Sequence, residues 1–210
     1  VRRCYLKAGS SRDKRVYLLA AAGLAVILVL VVLVAGPPGR AVDWAIRAAA
    51  LLGYLAALAA SLSSAFMRQM LHLFGMPFLK VHHYMSIAAL VLLTVHPLLV
   101  MLDMGSPAVL IPVLSSVSGF LQMGGRPAWY LLVVAALAAL LRGRLGRGWR
   151  ALHWLTYVAL LLGAAHAMLI GSSFRAVPAR VLLVLVASLA LFVFARKRLD
   201  ARRRRSRAAH

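Results

Sequence analysis

Long apolar runs separated by short polar gaps dominate the chain, at approximately 16–35, 43–66, 82–102, 127–141, 150–171 and 178–195. A helix needs about 20 predominantly apolar residues to cross the ~30 Å hydrocarbon layer of a bilayer. The runs therefore predict membrane-spanning helices. The first is too long and uninterrupted for a cleaved signal peptide and is expected to be a retained helix. The fourth has only 13 uninterrupted apolar residues, Trp129 to Leu141. It is expected to start earlier, near Gly124, or to dip only partly into the membrane. The fold class expected is an all-α membrane protein, a six-helix transmembrane bundle over 16–195, preceded by a basic segment 1–15 and followed by a basic tail 196–210.

Charge sets the orientation. Twenty-five Lys and Arg face four carboxylates, a net charge of +21. On a soluble domain that balance would suggest nucleic acid; here the basic residues fall between apolar runs and at the ends, which argues against it. With a cytoplasmic N-terminus, 20 basic residues lie inside and five outside: Arg40, Arg47, Arg126, Arg175 and Arg180. The positive-inside rule then places both termini in the cytoplasm. It also argues against a seventh span at 107–122, which would export the RGRLGRGWR loop and the RRRR tail. The stretch 104–126, with its Gly and Pro, is expected to be an outside loop with a partial or re-entrant segment. At 63% hydrophobic residues and a mean hydropathy of +0.89, the chain leaves little room for a soluble domain.

Four histidines interrupt this apolar pattern in two matched pairs, His82 with His96 and His153 with His166, 14 and 13 residues apart. At about 1.5 Å per residue each pair spans roughly 20 Å, most of the hydrocarbon thickness. The two runs point the same way, so depth pairs His82 with His153 near the cytoplasmic face and His96 with His166 in the outer half. Polar groups are expensive in lipid, and four at matching depths indicate ligands. Two stacked bis-histidine sites in a helical bundle are the arrangement that holds b-type haem. The lone Cys4 excludes an internal disulfide, a CxxC site and the CxxCH attachment of c-type haem. Fourteen residues at about 100° return to within about 40° of one helix face, whereas thirteen leave side chains about 140° apart. His153 and His166 therefore require a helix irregularity, such as a π-bulge, to serve one partner helix.

His83 is a rival inner ligand, since it lies 13 residues before His96; His82 is preferred because its face agrees better with that of His96. His72 has no matched partner. Arg147 and Arg150 at the inner site, and Arg126 and Arg175 at the outer, could pair with haem propionates or simply set topology. Ser86, Gly163, Ala164 and Ala165 could admit a flat macrocycle or let helices pack closely. Tyr84, Tyr157, Trp129 and Trp154 fit an interfacial aromatic belt as well as a redox role. GPPGR and LGRGW lack a nucleotide-loop pattern. No Asp or Glu lies deep in a span, which weighs against a carboxylate-based pump.

VHHYMSIAALVLLTVHPLL and WRALHWLTYVALLLGAAHAML resemble the paired haem helices of ferric-reductase-like transmembrane domains, the membrane halves of NADPH oxidases and ferric reductases. The resemblance covers about 42–195 and is strongest over 82–171. LGRGWRALHWLTY also looks like the haem-binding membrane subunit of the bacterial periplasmic methionine-sulfoxide reductase system. The resemblance implies two b haems on His82, His96, His153 and His166 (metal ligands), in the membrane subunit of an oxidoreductase. Electrons would cross a plasma membrane, bacterial in the second comparison, to ferric iron, oxygen or an extracytoplasmic redox protein. Two departures stand out: Ser86 occupies a position where glycine is usual, and no flavin or nicotinamide domain follows residue 210. The expected donor is a separate flavoprotein reductase or a quinol. The alternative from another class is a transporter or haem-handling carrier that uses the histidines for transient binding.

Overall fold

A computed structural model describes residues 36–63 and 77–208, all of them helix, turn or loop. The first apolar run, the end of the second and His72 lie outside the described residues. Among the described residues four helices are long and apolar enough to cross a membrane: α1 (Ala41–Ser63), α2 (Phe78–Met104), the composite Trp149–Ile170, and the apolar part Val177–Arg196 of the last helix. A shorter apolar helix, α4 (Gly125–Leu140), accompanies them. The chain is thus an all-helical, multi-pass membrane protein.

The elements follow local chemistry. Arg40 precedes α1 and donates its backbone N–H to Asp43 Oδ2 at 2.8 Å, capping the first turn. Its guanidinium reaches Asp43 at 3.2 Å and Asp103, at the far end of α2, at 2.9 Å. The Asp43 hydrogen bond, followed by that to Asp103, holds the Arg40 guanidinium pKa above its usual range. This bridge closes an antiparallel α1–α2 hairpin at its open end, which we call the loop end. The stretch after α2 does not cross: Pro107–Leu110 is a 3-10 turn and α3 (Val117–Gln122) is six residues long, capped by Ser116. Arg126 and Tyr130 hold it back by bonds to the carbonyls of Ile111 (2.7 Å) and Leu110 (3.3 Å). At 16 residues, α4 spans roughly 24 Å. It begins at Gly125, where the short apolar run required a start.

At the opposite, basic end, α5 (Arg142–Leu145) and α6 (Trp149–His153) turn the chain back into α7 (Leu155–Ile170). A 3-10 turn, Ser172–Phe174, leads to α8 (Val177–Ala208). The last helix does not stop where its apolar sequence stops. It continues through the basic residues for 12 more, about 18 Å beyond Arg196.

The interior is built from small residues. Ala57, Leu58, Ala89 and Leu160 form one buried cluster; Ala164, Phe174, Ala179 and Leu183 form another. Tyr54 touches both and donates its hydroxyl to the Leu160 carbonyl at 3.2 Å. Such small-residue contact is how helices approach in lipid, where apolar burial gives no net drive. Gly163 meets the Tyr54 ring, and Ala164 belongs to a cluster, so both serve helix packing. Most of α2 is left uncovered: only 6% of its most apolar window is buried.

Gly53 sets the α1–α2 spacing. A Cβ there would stand 2.8 Å from Leu93 Cγ and 3.1 Å from Leu92 Cβ. Gly53→Leu is expected to force the hairpin apart and destabilise the fold by about 1–3 kcal/mol, the usual cost of overpacking. A lowered thermal unfolding midpoint in detergent checks this, with Gly143→Ala, where nothing lies within 4 Å, as the neutral control.

Candidate functional site

His82 and His96 stand on α2, His153 closes α6, and His166 lies on α7. All four imidazoles are half-buried. Each donates from Nδ1 to a backbone carbonyl of a neighbouring segment: His82 to Ala60 at 2.9 Å, His96 to Ile46 at 3.1 Å, His153 to Ala135 at 3.2 Å and His166 to Gln122 at 2.7 Å. A carbonyl can only accept, so Nδ1 must carry the proton and Nε2 the lone pair. That is the tautomer a metal-binding histidine adopts when a second partner orients it.

The register behind these bonds is repeated. Ala60 and Ile46 are fourteen residues apart, the same interval as His82 and His96. Ala135 and Gln122 are thirteen apart, like His153 and His166. In each antiparallel pair, then, a histidine meets the carbonyl opposite it at both ends. α2 lies along α1, and α6–α7 lies along α3–α4. By contrast α2, which carries His82 and His96, makes few contacts with α6–α7, which carries His153 and His166.

One of the two expected pairs is in ring contact. The His82 and His153 ring centres are 6.1 Å apart, with planes at 70°. The helix irregularity required by the 13-residue interval is present, but it is not a π-bulge. The helix breaks at Trp154, and Tyr157 N–H bonds to the Trp154 carbonyl three residues back, a tightened turn. Thr156 Oγ1 donates to the His153 carbonyl at 2.6 Å and holds the break. Three residues at about 120° rather than 100° add about 60° of rotation, cutting the offset from about 140° to about 80°.

His83 is exposed, and it is His82 whose ring meets His153. Arg126 Nη1 donates to the Ile111 carbonyl at 2.7 Å. Arg150 is exposed, with its guanidinium 5.8 Å from the Trp149 ring centre, and that ring is 5.7 Å from His153. Arg147 is exposed in the same turn, and Arg175 is exposed beside the Ser172–Phe174 turn. Of the four arginines only Arg150 is thus linked to a histidine, through the Trp149 ring.

Three features escaped the sequence reading. Arg47, counted there only as an outside charge, is buried on α1 beside Ile46. It lies 4.3 Å over the Trp44 ring and bonds the carbonyls of Pro37 (2.8 Å) and Asp43 (3.2 Å), while its Nη2 has no partner. A basic residue inside an apolar span was the available signal. Trp129 Nε1 donates to Thr94 Oγ1 at 3.0 Å, tying α4 to α2 between the two histidine levels. Gly125 lies directly against His166: a Cβ there would sit 3.0 Å from ring atoms Cδ2 and Nε2.

Among the described residues no group of three or more His, Cys, Asp or Glu side chains converges. Two imidazoles bonded to one metal from opposite sides through bonds of about 2 Å hold their ring centres roughly 6 Å apart. The His82–His153 separation of 6.1 Å fits that requirement. Comparison of the chain with protein-family models, with curated proteins and with solved structures finds no match in any of the three.

Proposed function

We propose that the chain is the haem-carrying membrane part of an oxidoreductase. In this reading it passes single electrons between the membrane faces through two b-type haems, one held by His82 and His153, the other by His96 and His166. One observation carries the reading: four imidazoles, paired by depth, each have Nδ1 committed to a backbone carbonyl in a twice-repeated register. The likeness of 82–171 to ferric-reductase-like haem helices supports it.

A bound b-type haem supplies reversible one-electron iron chemistry. The chain supplies the rest. The carbonyls of Ala60, Ile46, Ala135 and Gln122 fix the rotation of each imidazole and raise its basicity through the shared proton. The facing histidines stand on α2 and on α6–α7, which make little direct contact. The apolar surroundings exclude water and lower the local dielectric, which tunes potentials. Arg47 and Arg126 offer positive charge at the loop end, and Arg150 at the basic end, where carboxylates of a cofactor would need it. A carrier driven by a carboxylate is less well supported, because Asp43 and Asp103 are engaged with Arg40 at the loop end.

The decisive experiment is purification of the whole chain from haem-supplied cells, followed by haem quantitation and dithionite reduction. The expected result is two b-type haems per chain with low-spin, bis-imidazole spectra in both oxidation states. A folded preparation that takes up no haem would overturn the proposal.

Orientation follows from the basic bias: the end bearing Arg142–Arg150 and the tail faces the cytoplasm. Electrons then enter there, from a flavoprotein or quinol, and leave at the loop end to ferric iron, oxygen or a redox protein. A reporter fused after His210 is expected to be active only in the cytoplasm. Replacing the tail arginines with glutamine is expected to weaken that preference without reducing haem content.

A further inference from the structure

The basic end carries a dense positive charge, and part of it stands beside the ends of apolar helices. From 142 to 150 and from 196 to 207 there are 12 basic residues and a single carboxylate, Asp200. Arg142 follows directly on the apolar helix α4, Arg150 stands one residue into α6, and Arg198 lies two residues beyond the apolar window of α8. All three are exposed. Two are stacked on indoles: Arg198 at 3.8 Å from the Trp154 ring centre and Arg150 at 5.8 Å from that of Trp149.

Stacking uses the face of a guanidinium and leaves its N–H donors free along the edge. Those donors match phosphate oxygens in a bidentate fork. Tryptophans beside the ends of apolar helices mark the headgroup layer. The Arg198 guanidinium is therefore pre-oriented at the level where lipid phosphates lie, with Arg150 beside a second indole and Arg142 at the end of α4.

We propose that this end is a binding surface for anionic phospholipid headgroups, with Arg142, Arg150 and Arg198 as the phosphate-binding side chains. The occupant is a lipid rather than an acidic protein because these arginines sit at the membrane ends of three apolar segments. A soluble partner approaching from the aqueous side meets first the helical extension of α8, about 18 Å long. The proposal needs the membrane-spanning arrangement but no bound haem; Arg150 is the one residue it shares with the haem reading, and Arg142 and Arg198 belong to it alone.

The test is electron paramagnetic resonance of spin-labelled phosphatidylglycerol and phosphatidylcholine around the full chain reconstituted in phosphatidylcholine bilayers. The ratio of their association constants is expected to be about tenfold at roughly 0.01 M salt and to approach unity near 1 M. The triple variant R142A/R150A/R198A is expected to lower the ratio at least threefold, on the order of one arginine's contribution or more. The corresponding triple lysine variant should retain only part of it, because an ammonium keeps the charge without the bidentate fork. Replacing Arg202, Arg203, Arg204, Arg205 and Arg207 with glutamine is expected to change the ratio less than the triple alanine variant does. A wild-type ratio near unity, a ratio indifferent to salt, or a larger loss from the tail variant than from the triple alanine variant would each overturn the proposal. Poly-glutamate binding abolished by the triple alanine variant, with no lipid preference, would assign the surface to an acidic protein instead. If the alanine variant does not fold, the salt dependence of the wild type and the tail variant still decide.

Discussion

Alanine at His96 or His166 is expected to remove one of two haems and leave the other, halving the haem-to-protein ratio. The same halving is expected from His82→Ala or His153→Ala, with the remaining haem being the other one. Independence follows from the supports. The loop-end pair is oriented by Ile46 and Gln122, the basic-end pair by Ala60 and Ala135, and the levels lie roughly 20 Å apart along α2. No orienting carbonyl is shared. Redox titration should reduce from two midpoint potentials to one, and the surviving potential should identify the lost site. His83→Ala is the internal control: its ring is exposed, so both haems and both potentials are expected to remain. Equal loss of both haems from a folded single variant would count against separate sites. Loss of the basic-end haem from His83→Ala would move the ligand one residue along.

Spacing carries depth, and depth is the basis on which the histidines are paired; it was the charge bias, not hydropathy, that argued against a span at 107–122. Pro107, Pro112 and Gly119 break that stretch, and the structure gives it only a 3-10 turn and a six-residue helix. Rotation about the helix axis was harder to read. The 13-residue interval between His153 and His166 demanded an irregularity, yet nothing between them is Pro, and the break comes instead from Thr156 drawing on the His153 carbonyl. A threonine usually leaves a helix intact; only its local competition for a backbone carbonyl makes this turn. The acceptors Ala60, Ile46, Ala135 and Gln122 were illegible for another reason. Their contribution is a backbone oxygen, which every residue type has, so only the antiparallel register reveals them. The burial of Arg47 depends likewise on Pro37 and Trp44 closing round it, which no count of charges discloses.

Gly125→Val is expected to cost the chain its loop-end haem while the basic-end haem is kept. The cause is space. A Cβ on residue 125 would stand 3.0 Å from Cδ2 and Nε2 of His166 and 3.2 Å from Cγ. The ring cannot yield freely, because its Nδ1 is held at 2.7 Å by the Gln122 carbonyl, three residues before Gly125. Any side chain must therefore either rotate the imidazole off that bond or push α4 away from α7. Ligand geometry tolerates only about 0.5 Å of such displacement. Gly125→Ala, needing a shift of a few tenths of an ångström, is expected to retain haem but move the loop-end midpoint potential, leaving the other unchanged. Gly163→Ala is the informative contrast. Its Cβ would meet Tyr54 at 3.5 Å, an ordinary contact, so haem content and both potentials should stay as in the parent. Two haems with unaltered potentials in a folded Gly125→Val variant would show that the close approach of α4 to His166 has no part in holding the outer ligand.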